Sequence, residues 1–474
     1  MCYSFILWRQ MTQATDQTTA GLPPDYNEAS KHSFCVLPWL HRFVNLGGEV
    51  QLCCTAEEFD HSYIRRDSKQ PINITDGLSD EQIGATRHMR EIRVSMLKGH
   101  WPAACERCKL TEEIGGCSRR QAENQHFDKH IPWILENTNG QGHAPVRIRS
   151  RDYRLGNLCN LRCRMCHPRA SKLLMDEWNE VARPRLRVDG KLAAEYGNMT
   201  WFHNQQLWGD FKAHCHDLEH LHFAGGEPLI IPEVQKALEI CVEQGVAGNI
   251  ELTFNTNVTK IPARHRELWP QFKKVNLLCS IDAYGELNDY IRYPAKWIRL
   301  ARNLDIIDQQ HEELNLGRAT LSVTVQIYNI FHLHELIGYS HERFSFIRAM
   351  PNLVHLSIPD YFNIQHLPDD LKQLADARLG ALRSRLQQAG ETAGLNQIDS
   401  TLAYLGMGKH SPYLMNEFKR VTGIFDRLRG ESITELAPEL QSLMEDSGNA
   451  NGRLRLAISQ ARWLGGKIRN RLLG

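Results

Sequence analysis

Three cysteines in the run CNLRCRMC, Cys159, Cys163 and Cys166, have the type and spacing to hold a metal centre. Three thiolates this close in a loop can grip three corners of one [4Fe–4S] cube, which ordinarily takes four cysteines. Three leave one iron open to a ligand from outside the protein. No further cysteine follows until Cys215. Zinc is the competing reading. His167 would complete a set of three thiolates and one imidazole, and structural zinc takes four protein ligands.

A second set lies upstream. Cys35, Cys53, Cys54, Cys105, Cys108 and Cys117 stand among close-set Trp, Pro and Gly residues. Paired cysteines far apart in sequence suit an iron–sulfur cluster or a structural four-cysteine zinc site equally well on spacing alone. With thirteen cysteines in the chain, an odd number, a simple disulfide framework is disfavoured. Crowding of this kind reads as metal ligation in a reducing compartment, so a cytoplasmic protein is expected. Cys241 falls on an apolar helix face, and Cys279 precedes Ser280 at a strand end; core packing is expected for both.

The elements that must position the triplet follow from periodicity. VRIRSRDYRL reads as a strand ending just before it. LEHLHFA, NIELTFN, KVNLLCSID, ATLSVTVQIYN and LVHLSI read as five more. Helical stretches lie between most of them. One is PEVQKALEICVEQG, which Pro232 can start and Gly245 can end. Strands alternating with helices imply parallel βαβ units with right-handed crossovers. Segment 180–217 is long for such a connection and is expected to be an insertion near the active face. Residues 31–130 read as irregular, a stretch with little regular core that a metal would stabilise. After about 360 the strands stop, and Leu371, Leu374, Leu379, Leu382 and Leu386 recur at helical spacing. The expected divisions are a flexible arm at 1–30, a cysteine-bearing domain at 31–130, a barrel at 140–358 and a helical region at 359–474. The basic end, RLRLAISQARWLGGKIRNRLLG, reads as a helix docked on its own protein.

The chain has 474 residues, 56 basic and 55 acidic, for a formal net charge of +1. No global charge attracts nucleic acid or an anionic membrane. No apolar run approaches the ~18 residues needed to span a bilayer.

CNLRCRMC resembles the CxxxCxxC signature of the radical S-adenosylmethionine (SAM) superfamily, with Met165 where an aromatic residue is usual. AGGEP at 224–228 ends the next strand and resembles that superfamily's GGEP motif. The resemblance implies that Gly225, Gly226 and Glu227 hold the amino group of SAM. Carbonyls and a carboxylate suit an ammonium, and glycines let the backbone come close. Asn255-Thr256-Asn257 resembles a TN-type motif. Ser280-Ile281-Asp282, followed by Arg292, resembles the SIDG…R pattern of the SPASM/twitch branch, with Ala283 replacing the glycine. By resemblance Asn257 and Ser280 contact ribose or carboxylate, and Arg292 pairs with the SAM carboxylate, as its bidentate fork allows. Asp282 and Tyr290 are candidate proton acceptors.

The upstream set resembles a twitch auxiliary-cluster domain. Cys35-x12-Gly48-x4-Cys53 matches its start, and MLKGHWPAACERC matches its L-x-G-x-x-P-x-x-C-x-x-C half. The implied ligands are Cys35, Cys53, Cys105 and Cys108, with Cys54 and Cys117 as substitutes. Here the domain precedes the barrel instead of following it.

The expected fold is therefore α/β: a partial (β/α)6 TIM-like barrel, an N-terminal irregular iron–sulfur (twitch) domain and a helical C-terminal region. The expected activity is reductive cleavage of SAM to a 5′-deoxyadenosyl radical that abstracts hydrogen. The expected cofactors are a [4Fe–4S] cluster bound with SAM and an auxiliary iron–sulfur cluster. A peptide or protein substrate, modified by crosslinking, epimerisation or oxidation, is implied, with a flavodoxin- or ferredoxin-type electron donor. The alternatives are a sugar or aminocyclitol dehydrogenase and a non-catalytic metal-stabilised binding protein.

Overall fold

A computed structural model describes residues 28–445 except 57–61, 67–69, 114–115 and 198. The expected arm lies almost wholly outside the described residues, and so does the basic stretch 453–474.

Six strands run parallel through the middle of the chain: β3 (Ser150–Leu155), β4 (His220–Gly225), β5 (Glu251–Thr256), β6 (Lys274–Ser280), β7 (Leu316–Val325) and β8 (Arg348–His355). They neighbour one another in chain order. Helices cross back between them at Pro232–Glu243, Ala263–Leu268, Trp297–Gln309 and Leu333–Arg343. This is the expected partial barrel, and every strand points its C-terminal end the same way.

Side chains alternate along each strand. Leu221 and Phe223, Leu252 and Phe254, and Leu277 and Cys279 face the helices and form the main core with Val234, Leu238, Leu300 and Leu304. Phe223 stacks on Phe254 at 5.7 Å, and Phe254 meets Trp269 at 5.7 Å. The opposite rows are polar: Ser150, Asp152 and Arg154 on β3, His220 and His222 on β4, and Thr253 and Asn255 on β5. A barrel with a polar inner row is built to receive something other than its own apolar side chains.

Segment 180–217 touches the active face only in its middle, where Tyr196 O accepts from Asn157 Nδ2 at 2.8 Å beside the cysteine loop. Its helix Gln205–His214 packs on the outer side of the sheet, with Trp208 6.2 Å from Tyr153 and 5.7 Å from Phe211. It is the crossover between β3 and β4. Its Trp and Phe residues are buried core that a count of polar neighbours obscured.

The N-terminal region is more ordered than its composition suggests. It has its own core, with Phe34, Trp39, Met89, Met96, Phe127 and Ile134. Helix Arg87–Leu97 supplies Met89, Ile92 and Met96, and helix Ile131–Glu136 supplies Ile134 and Leu135. It also joins the barrel sheet. β1 (His41–Val44) pairs parallel with β3, and β2 (Val50–Gln51) pairs antiparallel with β1. Asp80 ties the two regions together, binding Arg42 of β1 at 2.8 Å and Arg151 of β3 at 2.5 Å. The sheet thus crosses the break expected between 130 and 140. Four- and two-residue strands are too short to show an alternating pattern in sequence.

The C-terminal helices Asp369–Gln388, Thr392–Met407 and Pro412–Arg429 share the barrel core through Leu371, Leu379, Phe418 and Phe425.

Candidate active site at the strand ends

β3 runs into the loop that carries the cysteine triplet. Cys163 is buried, and Cys159 and Cys166 are half-buried. The loop is held from below by backbone: Arg162 N donates to Tyr293 O at 2.6 Å, and Arg164 N donates to Ile291 O at 2.9 Å. These bonds flank Arg292, whose positive charge acts on all three thiols. Burial pushes the Cys159 thiol up to about 12; Cys163 and Glu227 add to this, while Arg292 opposes it. Cys163 and Cys166 share a hydrogen bond that raises the first thiol and lowers the second. Buried soft donors with a cation beside them fit a cluster whose sulfur ligands carry negative charge.

β4 ends in the GGE run, and the glycines are sterically required. Gly225 has φ +117°, and a Cβ there would lie 2.7 Å from Leu155 N. At Gly226 a Cβ would drive into the backbone of Leu158, the residue before Cys159. Glu227 N donates to Leu158 O at 2.9 Å, locking the two loops together. The Glu227 carboxylate is buried yet well supplied with donors. Thr256 Oγ1 donates at 2.8 Å, Leu229 N at 3.1 Å and Asn257 N at 2.6 Å. Burial raises its pKa to about 7 despite these bonds.

Asn257 follows β5, and its side chain reaches the cysteine loop, donating from Nδ2 to Asn160 Oδ1 at 2.9 Å. Asn160 in turn donates to Thr259 Oγ1 at 2.8 Å. Ser280 stands half-buried at the end of β6. The structure thus brings the triplet, Gly225, Gly226, Glu227, Asn257, Ser280 and Arg292 to the C-terminal face of β3–β6.

Asp282 and Tyr290 have other partners. Asp282 is fully buried; its Oδ1 accepts from Thr324 N at 2.7 Å, and its Oδ2 is 2.8 Å from Arg292 Nε. Tyr290 donates its hydroxyl to Asp426 Oδ1 at 2.7 Å, and burial pushes its pKa well up. Both are engaged in holding neighbours. His167, the fourth ligand of the zinc alternative, sets its ring 4.4 Å from Trp178 and accepts from Arg169 N at 3.2 Å.

Several residues here carried no motif. Arg164, between Cys163 and Cys166, has no side-chain exposure. It donates to Tyr290 O at 3.0 Å, lies 3.5 Å over the Tyr290 ring, and pairs with Asp426 at 2.9 Å and Glu431 at 2.7 Å. The C-terminal helix Pro412–Arg429 thereby braces the cysteine loop. Arg429 adds a bond to Arg162 O at 2.8 Å. Arg164→Met should cost roughly 2 kcal/mol, below the ~3–5 of a fully buried pair, because Asp426 and Glu431 keep some water contact. The expected readout is a lower thermal midpoint with faster iron loss from the barrel site. An unchanged midpoint and iron content would remove the bracing role.

In the N-terminal region, Cys35, Cys53, Cys105 and Cys108 line one cavity with Leu37, Leu52, Met96 and Ala104 as apolar wall, and with Arg119 and Arg120. Cys54 and Cys117 are not among its walls, and Cys117 is exposed. Burial is the first cause raising the Cys35, Cys105 and Cys108 thiols. Four thiols around one cavity, with two guanidiniums to offset thiolate charge, fit an iron–sulfur cluster chemically. Among the described residues, no three His, Cys, Asp or Glu side chains meet in the geometry of a single bound ion. Cys215, Cys241 and Cys279 are buried in the core.

A parallel half-barrel with a cysteine triplet after its first full strand, and a glycine-glycine-glutamate run after the second, defines the class. Residues 153–310 match the model of the Radical SAM superfamily, so the chain carries a radical SAM domain. That domain marks it as an enzyme, and the family implies a [4Fe–4S] cluster and SAM. Among solved structures, the chain is similar to Streptococcus suis SuiB bound to S-adenosylmethionine, at 14% identity over 67% of each chain with a TM-score of 0.31. It is also similar to SuiB by itself, at 13% identity over 67% of this chain and 66% of that one, with a TM-score of 0.32. SuiB bound to its precursor peptide SuiA matches at 14% identity over 68% of this chain and 67% of that one, TM-score 0.31. No curated protein matches the chain. Among the described residues, no helix is long and apolar enough to cross a membrane.

Proposed function

We propose that the chain is a radical SAM enzyme acting on a peptide or protein, with a second iron–sulfur cluster in its N-terminal region. The observation that carries the first part is the meeting of three strand ends at one point. Gly226 and Glu227 lie against Leu158, Asn257 binds Asn160, and Arg292 faces the cysteines.

Cys159, Cys163 and Cys166 would hold the cluster. Bound there, a reduced cluster together with SAM would supply a 5′-deoxyadenosyl radical to take a hydrogen atom from the substrate. Glu227, ionised, accepts from the SAM ammonium. Gly225 and Gly226 keep their backbone clear for it. Asn257 and Ser280 offer hydrogen-bonding groups to the ribose or carboxylate. Arg292, held at Asp282, presents a cation to a carboxylate and to the thiolates. On this reading Asp282 and Tyr290 position neighbours and do not handle the substrate's proton.

Cys35, Cys53, Cys105 and Cys108 would hold the auxiliary cluster. Their twitch-like spacing, with the cavity they share, supports that reading and, through it, a peptide or protein substrate. A flavodoxin- or ferredoxin-type protein would supply the electron, and the cytoplasm is the compartment that keeps such thiols reduced.

Anaerobic reconstitution with iron and sulfide counting tests the pair of sites. Two [4Fe–4S] clusters predict about eight irons per chain. About four irons with one zinc would overturn the auxiliary-cluster reading.

A further inference from the structure

The inner face of β7 carries two polar groups left without a partner among the described residues. Ala319 and Leu321 turn outwards into the main core, so Arg318 and Thr320 turn the other way, into the barrel. Arg318 is half-buried, and its Nε is buried with no hydrogen-bond partner. Thr320 is 4% exposed, and its Oγ1 is likewise unpartnered. Register sets Thr320 beside Arg348 of β8, which brings a second guanidinium to the same face. Arg348 acts on Arg318 as a like charge. Among the described residues neither arginine has an ion pair.

The acids of the inner rows are already engaged. Glu251 acts on Arg318, yet its Oε2 is 3.1 Å from Lys274 Nζ and its Oε1 accepts from Asn276 Nδ2 at 2.6 Å. Asp152 has Arg154 at 3.5 Å and His222 at 3.2 Å. Burial is the first cause lowering the Arg318 pKa, and Arg348 adds to it. Two guanidiniums brought together with no anion between them cost stability. Such a local conflict is expected where a ligand supplies the missing charge.

We propose that Arg318, Arg348 and Thr320 form a carboxylate-binding subsite inside the barrel, which holds an acidic side chain of the substrate. This rests on the reading of the substrate as a peptide or protein. A planar guanidinium donates two parallel hydrogen bonds to a carboxylate, and the threonine hydroxyl adds a third donor. β8 is the last strand of the sheet and Arg348 is exposed, so the subsite opens to solvent at that edge. Thr320 stands two residues, about 7 Å, before Ser322. Ser322 pairs with Ser280 at the C-terminal face. The acid is therefore an anchor, seated below the carbon that reacts. A substrate peptide should carry Asp or Glu close to its modified residue.

The test is binding, with neither SAM nor dithionite present. The full chain is reconstituted anaerobically and dialysed to equilibrium against radiolabelled N-acetyl-Ala-Glu-Ala-amide, its Gln counterpart, or inorganic phosphate. The Glu peptide should bind about tenfold tighter than the Gln peptide, the order expected for hydrogen bonds to a charged group. Arg318→Gln and Arg348→Gln should each weaken the Glu peptide by about tenfold and leave the Gln peptide unchanged. Arg318→Lys, which keeps the charge, should weaken it less. No partner is lost in Arg318→Gln, so its thermal midpoint should hold or rise, whereas an arginine with a structural role would lower it. Equal affinity for the two peptides, or a Glu-peptide affinity that neither variant moves, overturns the subsite. Phosphate that binds in place of the Glu peptide, and is lost in the same variants, overturns the acidic side chain as its ligand. SAM cleavage is measured separately on the same preparation. Its absence would overturn the radical SAM reading, while cleavage without peptide selectivity overturns the subsite alone.

Discussion

Replacing Cys159, Cys163 and Cys166 together by alanine should abolish formation of 5′-deoxyadenosine from SAM and dithionite while about four irons per chain remain. On the proposed function the loss should be complete, because the triplet would supply every protein ligand of the site that cleaves SAM. Among the described residues of the barrel, no other cysteine stands ready to replace it: Cys215, Cys241 and Cys279 are buried in the core. On the same proposal the N-terminal iron should persist, because Cys35, Cys53, Cys105 and Cys108 lie around a separate cavity with its own core. Product is read by chromatography and iron by a chelator assay on the same sample. Cleavage surviving in the triple variant would mean that the barrel triplet is not the SAM-cleaving site. Loss of all iron would mean that the two sites are not independent.

The second large effect belongs to a hydrogen atom. Gly226→Ala should leave the chain folded but lower its thermal midpoint, at about 1–3 kcal/mol for overpacking. It should also cut SAM cleavage by about a hundredfold, the order expected when reacting groups are displaced by roughly an ångström. The added methyl group meets the backbone of Leu158, which cannot rotate away as a side chain would. Either β4 or the cysteine loop must shift. The Glu227 N to Leu158 O bond and the Asn257–Asn160 bond are the contacts that would break. Iron counting separates the two ways of failing, since a displaced cysteine loop loses iron and a displaced Glu227 loses only SAM. A variant that cleaved SAM at the parental rate would show that the close approach is not needed.

Much of the barrel was legible in the chain because buried parallel strands write themselves as short apolar runs. LHFA, LTF and VNLLC could hardly be anything else between helices that start at Pro232 and Ala263. The candidate site residues could be picked out for a related reason. Ligand-binding groups in such a fold must sit at strand ends, and each strand end here carried polar or glycine residues. Less visible was everything short or shared. β1 and β2 are brief, and they join the barrel sheet only because β1 pairs with β3, about a hundred residues away. The choice of Cys53 over Cys54 as a cavity wall turns on which side chain the β2 turn aims inwards.

The chain by itself determined the class of chemistry: thiolates at CxxxCxxC, then a glycine pair and a carboxylate one strand later. Those are local properties, set by residue type and by spacing of a few positions. Tertiary structure alone decided what surrounds them. It placed Arg164 inside a cage formed by Tyr290, Asp426 and Glu431, and it paired Asp282 with Arg292. It also set Arg119 and His222 on opposite sides of Asp152. The longest of these contacts, from Arg164 to Glu431, joins residues 267 positions apart. Buried charges must find partners wherever the fold happens to bring them. No periodicity or motif encodes that requirement, so it became readable only once the strands were in register.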